Sequence, residues 1–150
     1  MRAVIQRVKG ASVKIDGDVF SSINCGILVF VGFGEKENEE DLKWMSKKII
    51  SLRIFSDNEG KMNKSVKDIN GGILIVSQFS LHALLKKGNR PSFVKSCEYI
   101  KAKSLYDNFI EFVKKDFCGI VHQGLFGSDM KVNLLNDGPL TFFIDTQNKE

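Results

Sequence analysis

The chain has 150 residues, 43% of them hydrophobic and 27% charged, with a net charge of +4. This balance excludes a disordered chain, fits a single domain spanning 1–150 with a real core, and permits contact with nucleic acid without demanding it. No apolar run approaches the ~20 residues of a membrane span, and MRAVIQRVKG lacks the apolar stretch of a secretory leader, so the expected location is cytoplasmic, with no membrane partner.

Taken in chain order, RAVIQRVKGASVKIDGDVFSSI alternates apolar and polar residues. Ala3, Ile5 and Arg7 fall on one face, and Val4, Gln6 and Val8 on the other. Asp16-Gly17 is a hairpin signal between two strands. GILVFVGFG is a continuous apolar run, as for a strand buried on both faces. ENEEDLKWMSKKIISLRIF then switches to helical spacing, with Leu42, Met45, Ile49 and Leu52 three or four residues apart. Asn38 suits its N-cap, and Glu39, Glu40 and Asp41 suit the positive end of the helix dipole.

SDNEGK and Asn70-Gly71-Gly72 read as turns, and ILIVSQFSL as a buried-type strand. A basic loop, KKGNRPSF, leads to a second helix over roughly Ser96 to Phe117, with Ala102, Leu105, Tyr106, Phe109, Phe112 and Val113 on one side. The remainder returns to strands, Met130, Val132 and Leu134 alternating with Lys131 and Asn133. NDGPLTFFID near the end places one of only two prolines between apolar runs. It reads either as a hairpin corner or as a stiff stretch of backbone aimed at a ligand. The order predicts an α/β domain: a layered, barrel-like β-sheet with two packed helices. Twelve phenylalanines against two tyrosines and one tryptophan predict a Phe-rich core.

Chemistry-bearing residues are sparse. Cys25, Cys97 and Cys118 are widely spaced and odd in number. They form neither a disulfide framework nor a metal pair, and all three are expected to be buried small hydrophobes. No metal-spaced cluster or cofactor motif occurs, so neither a metal nor a cofactor is expected. GFGEK, Gly32 to Lys36, reads as a strand end rather than a phosphate cradle. His122 reads as a surface or core-edge residue. Ser80 and His82 share a face, about 7 Å apart, if their stretch is extended, which leaves a Ser–His dyad open, although no orienting carboxylate is near in sequence. Ser77, Gln78, Phe79 and Ser80 end an otherwise apolar strand, where ligands gather, or form an ordinary strand terminus. Lys86, Lys87, Arg90, Lys95, Lys101 and Lys103, with Phe93 and Tyr99 among them, form either a phosphate-holding, base-stacking patch or a solvated face.

MRAVIQRV, ASVKIDG, SLRIF, GKMN, VSQFSL, KGNRPSF, FGSDMKVNL and NDGPLTF occur in the order found in the D-aminoacyl-tRNA deacylases (D-tyrosyl-tRNA deacylases), which the chain resembles from Met1 to Asp145. The resemblance implies a hydrolase that releases D-amino acids, and mischarged glycine, from the 3′-terminal adenosine of tRNA while sparing L-aminoacyl-tRNA. It also implies a homodimer with the active site at the subunit interface. In such a dimer Gly138-Pro139 is cis and reaches into the partner's pocket. The catalytic stretch is Ser77, Gln78, Phe79 and Ser80, in which backbone N–H groups near Gln78 and Phe79 stabilise the oxyanion; whether the Ser80 hydroxyl takes part is left open. Phe79 lies beside the adenosine, Phe126 and Met130 wall the pocket, and Arg7 pins the Gly-Pro loop through its carbonyls. Ser80 stands where threonine is usual, His82 where an aromatic is common, and ALLKKG replaces a more polar loop. The alternative is a nucleic-acid-binding module of the same fold, of the DNA-unwinding-element type, without essential catalysis. A long charged C-terminal extension is the feature expected to accompany that role.

Overall fold

The long first strand, β1 (Arg2–Ile15), is the one on which three other strands are laid. The computed structural model describes residues 1–86 and 88–149; Lys87, part of the basic stretch, and Glu150 lie outside the described residues. At Asp16-Gly17 the chain reverses with φ of 51° and 92°, the left-handed pair a two-residue hairpin requires. It returns as β2 (Asp18–Ile23) and continues into β3 (Gly26–Gly32). One edge of β1 therefore pairs with β3 along Arg2 to Val8 and with β2 along Ala11 to Ile15.

Helix α1 (Glu39–Ser51) begins with a capping box. The Asn38 Oδ1 accepts from the Glu40 and Asp41 amides at 2.9 and 3.3 Å, and the Asp41 carboxylate accepts from the Asn38 amide. Such a cap is worth about 1 kcal/mol. A short ribbon, β4 (Phe55–Ser56) with β5 (Met62–Lys64), leads to β6 (Gly72–Ser77), parallel to β3. A Cβ on Gly26 would sit 2.0 Å from the Gly72 carbonyl oxygen, so that parallel pair closes at its start only with glycine. Helix α2 (Tyr99–Asp116) returns the chain to β7 (Val121–Gln123), parallel to β6. Glu98 caps α2, which starts three residues after the expected Ser96.

The last strand, β8 (Lys131–Asp145), runs antiparallel along the other edge of β1 for almost its whole length. The sheet order is β2-β1-β3-β6-β7 with β8 on β1. The Ser21 hydroxyl donates to the Gln123 carbonyl at 3.0 Å, bringing the β2 and β7 ends together and nearly closing the sheet into a barrel.

Two cores follow from strand alternation. Ile27, Val29, Val31, Ile73 and Ile75 face the helices, where they meet Leu42, Met45, Ile49, Tyr106 and Phe109. Leu28, Leu74, Val76, Val8 and Val13 fill the barrel. Each such buried aliphatic contributes roughly 1.5–3 kcal/mol. The expectation of a Phe-rich core is corrected: the interior is mostly Ile, Val and Leu, while Phe20, Phe79, Phe93 and Phe143 are exposed. β-branched residues pack best on a sheet buried on both faces, which leaves aromatic rings for the helices and rim.

Candidate active site

Strand β6 is fully buried from Gly72 to Val76 and becomes polar at Ser77, where it leaves the sheet. The Gln78 amide donates to the Val31 carbonyl at 2.6 Å, the last hydrogen bond in line with the ladder. Phe79–His82 then forms a 3₁₀ turn. A cavity of about 460 Å³ opens at this point. Ser77, Gln78, Phe79, Phe126 and Met130 all line it, so the structure brings together residues from both halves of the chain. Ser96, Cys97, Tyr99 and Asp129 complete its polar rim.

Its far wall is set by aromatic packing. Phe126 lies against Tyr106 at 5.5 Å and edge-on to Tyr99 at 5.3 Å between ring centroids. The buried Tyr106 hydroxyl lies 2.9 Å from the Ile75 carbonyl and 3.2 Å from that of Gly124. That tie holds the 124–130 segment to the strand that carries Ser77. Burial pushes the Tyr106 hydroxyl far above its ordinary range, so it stays protonated and donates. Met130 fits because Gly124 has no side chain: a Cβ there would stand 2.6 Å from the Met130 sulfur.

Several sequence expectations change here. The Gln78 amide is engaged by the Val31 carbonyl, whereas the Phe79 amide meets no acceptor among the described residues. The Ser80–His82 dyad is not formed. Because the stretch coils as a 3₁₀ turn, neighbours two apart diverge instead of sharing a face. Ser80 is exposed, its Oγ accepting from Gln78 Nε2 at 2.6 Å. His82 is buried, and burial lowers its pKa, opposed by the Gly32 backbone and the charge of Glu37. Cys25 and Cys118 are exposed, not the buried hydrophobes expected, while Cys97 is half-buried and packs against the helix-side core. Cys25 and Cys118 lie in the connections after β2 and α2, which present no face to either core. Burial, followed by the charge of Glu35, raises the Cys97 thiol above its ordinary value. His122 is exposed, its Nδ1 2.7 Å from the Ser22 carbonyl.

Arg7, Gly138 and Pro139 lie apart from this cavity. NDGPLTFFID is no hairpin corner. It belongs to the continuous strand β8, and Asn136 to Thr141 span only the stretch of β1 from Val8 to Gln6, so the extra residues bulge outward. The Gly138-Pro139 peptide is cis and exposed. Arg7 Nε donates to the Asp137 carbonyl at 3.0 Å, Arg7 Nη1 donates to that of Ile54, and the Asp137 carboxylate closes an ion pair at 3.2 Å. Asn136, not singled out from the sequence, staples the bulge from inside. Its Oδ1 accepts from the Leu140 amide at 2.9 Å, and its Nδ2 donates to the Leu140 carbonyl at 3.2 Å. Asn136 opens the NDGPLTF stretch four residues before the amide it binds, beyond the two-residue reach of an Asx turn, so its place in that stretch is the signal the sequence offered.

A family model described as D-Tyr-tRNA(Tyr) deacylase matches residues 4–145. Proteins named D-aminoacyl-tRNA deacylase from Flavobacterium psychrophilum and Parabacteroides distasonis are 51% and 52% identical over 150 residues, all of both chains being covered. A solved structure titled "c-Myc DNA Unwinding Element Binding Protein" superposes with a TM-score of 0.92 at 39% identity, covering 97% of this chain and 98% of that one. A second, titled "Structural Analysis of a probable eukaryotic D-amino acid tRNA deacylase", has a TM-score of 0.80 at 20% identity, covering 95% and 97%, and shares the nearly closed mixed sheet with its two helices. The cavity at the end of β6 and the clamped bulge of β8 thus sit in a chain that belongs to the D-Tyr-tRNA(Tyr) deacylase family.

Proposed function

We propose that the protein is a D-aminoacyl-tRNA deacylase that works in the cytoplasm as a homodimer. Water adds to the ester carbonyl, the bond to the 3′ oxygen of the terminal adenosine breaks, and free D-amino acid and tRNA leave. Full-length relatives named for that activity support the reaction. The observation that carries the site is the pairing of an open Phe79 amide with a cavity large enough for an aminoacyl group. A backbone donor aimed at the developing oxyanion contributes typically 10²–10³-fold.

None of the described histidines lines this cavity. Its Asp129 carboxylate is bonded to Lys131 at 2.8 Å, and its Cys97 thiol is pushed away from ionisation. The chain's part is therefore to position the ester and hold the oxyanion, and the substrate's own 2′-hydroxyl assists the attacking water. Selection by handedness belongs to Gly138-Pro139. In each protomer that bulge is exposed, held by Arg7 and absent from its own cavity. Seated in the cavity of a second copy, it leaves no room for the side chain of an L-residue and admits a D-residue or glycine, which is specificity by exclusion.

The test is hydrolysis of matched D-Tyr-tRNA and L-Tyr-tRNA, with the D form cleaved and the L form spared. Equal rates on both, or none on either, defeat the proposal. Ser80→Ala is expected to keep kcat within ten-fold; near-total loss with unchanged tRNA binding would assign a side-chain nucleophile instead. The nucleic-acid-binding reading without catalysis is not favoured, because relatives matching from end to end at about half identity carry the enzyme's name.

A further inference from the structure

Beside the cavity, and separated from it by the strap Phe93–Cys97, lies a second cleft of about 390 Å³. The strap turns one way to place Ser96 and Cys97 on the cavity, and the other way to place Val94 and Lys95 on the cleft. It is tied at its C-terminal end: Ser96 Oγ donates to the Phe79 carbonyl at 3.2 Å, and the Cys97 amide to that of Phe33 at 2.9 Å. On its crest Phe93 meets Phe79 edge to face, with centroids 4.7 Å apart and rings inclined by 63°. Both rings are exposed, at 41% and 59%. An edge-on contact covers at most one face of one ring, so flat aromatic surface remains open to a planar partner.

The charges around this crest are uneven. The carboxylates of the cleft are already matched: Glu35 to Lys101 at 3.3 Å, Asp145 to Arg2 at 2.8 Å, and Glu37 to the Met1 ammonium. The Glu98 carboxylate is committed to the first amides of α2. Lys36 and Lys95, which line the cleft, and Lys86 and Arg90, on the loop whose base is closed by the Leu84–Ser92 pairing, have no acidic partner among the described residues. Open ring faces bordered by uncompensated cations are the two components of a single-strand nucleic-acid surface.

We propose that the strap is a second nucleotide subsite: Phe93 stacks the base immediately 5′ of the terminal adenosine, and Lys95 and Lys36 hold the phosphates that lead to it. This rests on the deacylase reading and extends it from the reacting end to the single strand behind it. Phe79 faces the terminal adenosine, and the neighbouring ring takes the next base, so the strand is steered across the strap into the cavity.

The test is equilibrium binding of uncharged tRNA to the full protein. Phe93→Leu keeps an apolar contact with Phe79 but removes the ring, and it is expected to weaken binding at least five-fold; Phe93→Trp restores it. With tRNA trimmed of its last two nucleotides the difference between Leu and Phe disappears. For Lys36→Ala/Lys95→Ala, the slope of log affinity against log salt shrinks by about 0.7 for each phosphate that the variant no longer neutralises. Unchanged binding in Phe93→Leu, a deficit that persists on trimmed tRNA, or an unchanged salt slope overturns the subsite. Deacylation of D-Tyr-tRNA measured in parallel separates the two readings. Hydrolysis without a Phe93 effect removes the subsite alone, and a Phe93 effect without hydrolysis removes the hydrolase reading alone.

Discussion

Replacing Gly32 by alanine tests how the fold holds the reacting end. Gly32 ends β3, directly beside the point where β6 leaves the sheet. A Cβ there would stand 2.6 Å from the Gln78 carbonyl oxygen, 3.2 Å from Leu81 Cβ and 3.3 Å from His82 Cδ2. Ordinary carbon–oxygen contact is roughly 3.3–3.6 Å, so Gln78 must retreat by roughly 0.7–1 Å. The obstacle is main chain, which cannot rotate away as a side chain can. The Gln78 amide is meanwhile held by Val31 at 2.6 Å, so the retreat falls on the Gln78–Phe79 peptide. That peptide carries the amide assigned to the oxyanion.

A misplacement of that size costs on the order of 10²-fold in rate, and the overpacking costs about 1–3 kcal/mol, or roughly 2–12 °C in Tm for a chain of this length. Gly32→Ala is therefore expected to fold, with normal circular dichroism at 25 °C, and to lose about 10²-fold in kcat on D-Tyr-tRNA. Gly10→Ala is the control, since its Cβ would meet only the Ile23 carbonyl oxygen at an ordinary 3.6 Å. A folded Gly32→Ala variant within three-fold of wild-type kcat refutes the reasoning.

Gly124→Ala brings its Cβ against the flexible Met130 sulfur rather than main chain, so stability changes little while Met130 swings into the cavity; steady-state kinetics should show KM raised several-fold. Arg7→Lys keeps the charge but cannot fork to Asp137 and Ile54 at once; losing one such bond costs roughly 1.5–3 kcal/mol, read as a lower Tm, and the D-over-L rate ratio falls with it. The folded-state pKa of His82 lies below the ordinary 6.5 because burial disfavours its charge, so the unfolded chain binds the extra proton. Its contribution is full above pH 6.5 and lost as pH falls through the folded value. The shifted carboxylates Glu35, Asp57, Asp68 and Asp145 are all lowered from ordinary values of 4.5 or 3.8, so their midpoints lie on the acid side of this window. Acidification from neutrality to about pH 5 should therefore lower wild-type Tm more than that of His82→Gln, measured by thermal melts; parallel curves would count against His82.

What the residues announced locally, they formed. Asn38 with three acids behind it caps α1, and Asp16-Gly17 turns the first hairpin with both φ values positive. The apolar runs of β3 and β6 are buried on both faces, as their lack of alternation implied. Where a residue's fate depended on a distant partner, local pattern misled. Gln78 looked like a free donor until Val31 took its amide. Ser80 and His82 looked like face-sharing neighbours until Gly32 and Gly34 let the His82 ring pack against them inside a tight turn. The cysteines looked like core residues, but Cys25 and Cys118 sit at connections, and connections have no apolar face to join.

The same dependence accounts for the spacing between the two parts of the candidate site. The cavity edge hangs from Val31 and Gly32 of β3, and the Gly138-Pro139 bulge hangs from Arg7 of β1. β1 and β3 are paired without interruption from Arg2–Gly32 to Val8–Gly26, and Ala3, Ile5, Val29 and Val31 along that pairing are wholly buried. A buried ladder of this kind opens only near the global unfolding free energy. Within one protomer the distance between the cavity and the bulge is thus set by this buried pairing. Such a mounting suits the steric filter proposed above, because exclusion of one mirror form works only when the excluding backbone does not yield. The charged strap with Phe93 sits outside that ladder, tied by hydrogen bonds to Phe79 and Phe33. On these two proposals the fold sets a buried, fully paired ladder behind the chiral filter and a less buried strap where the nucleic-acid strand enters.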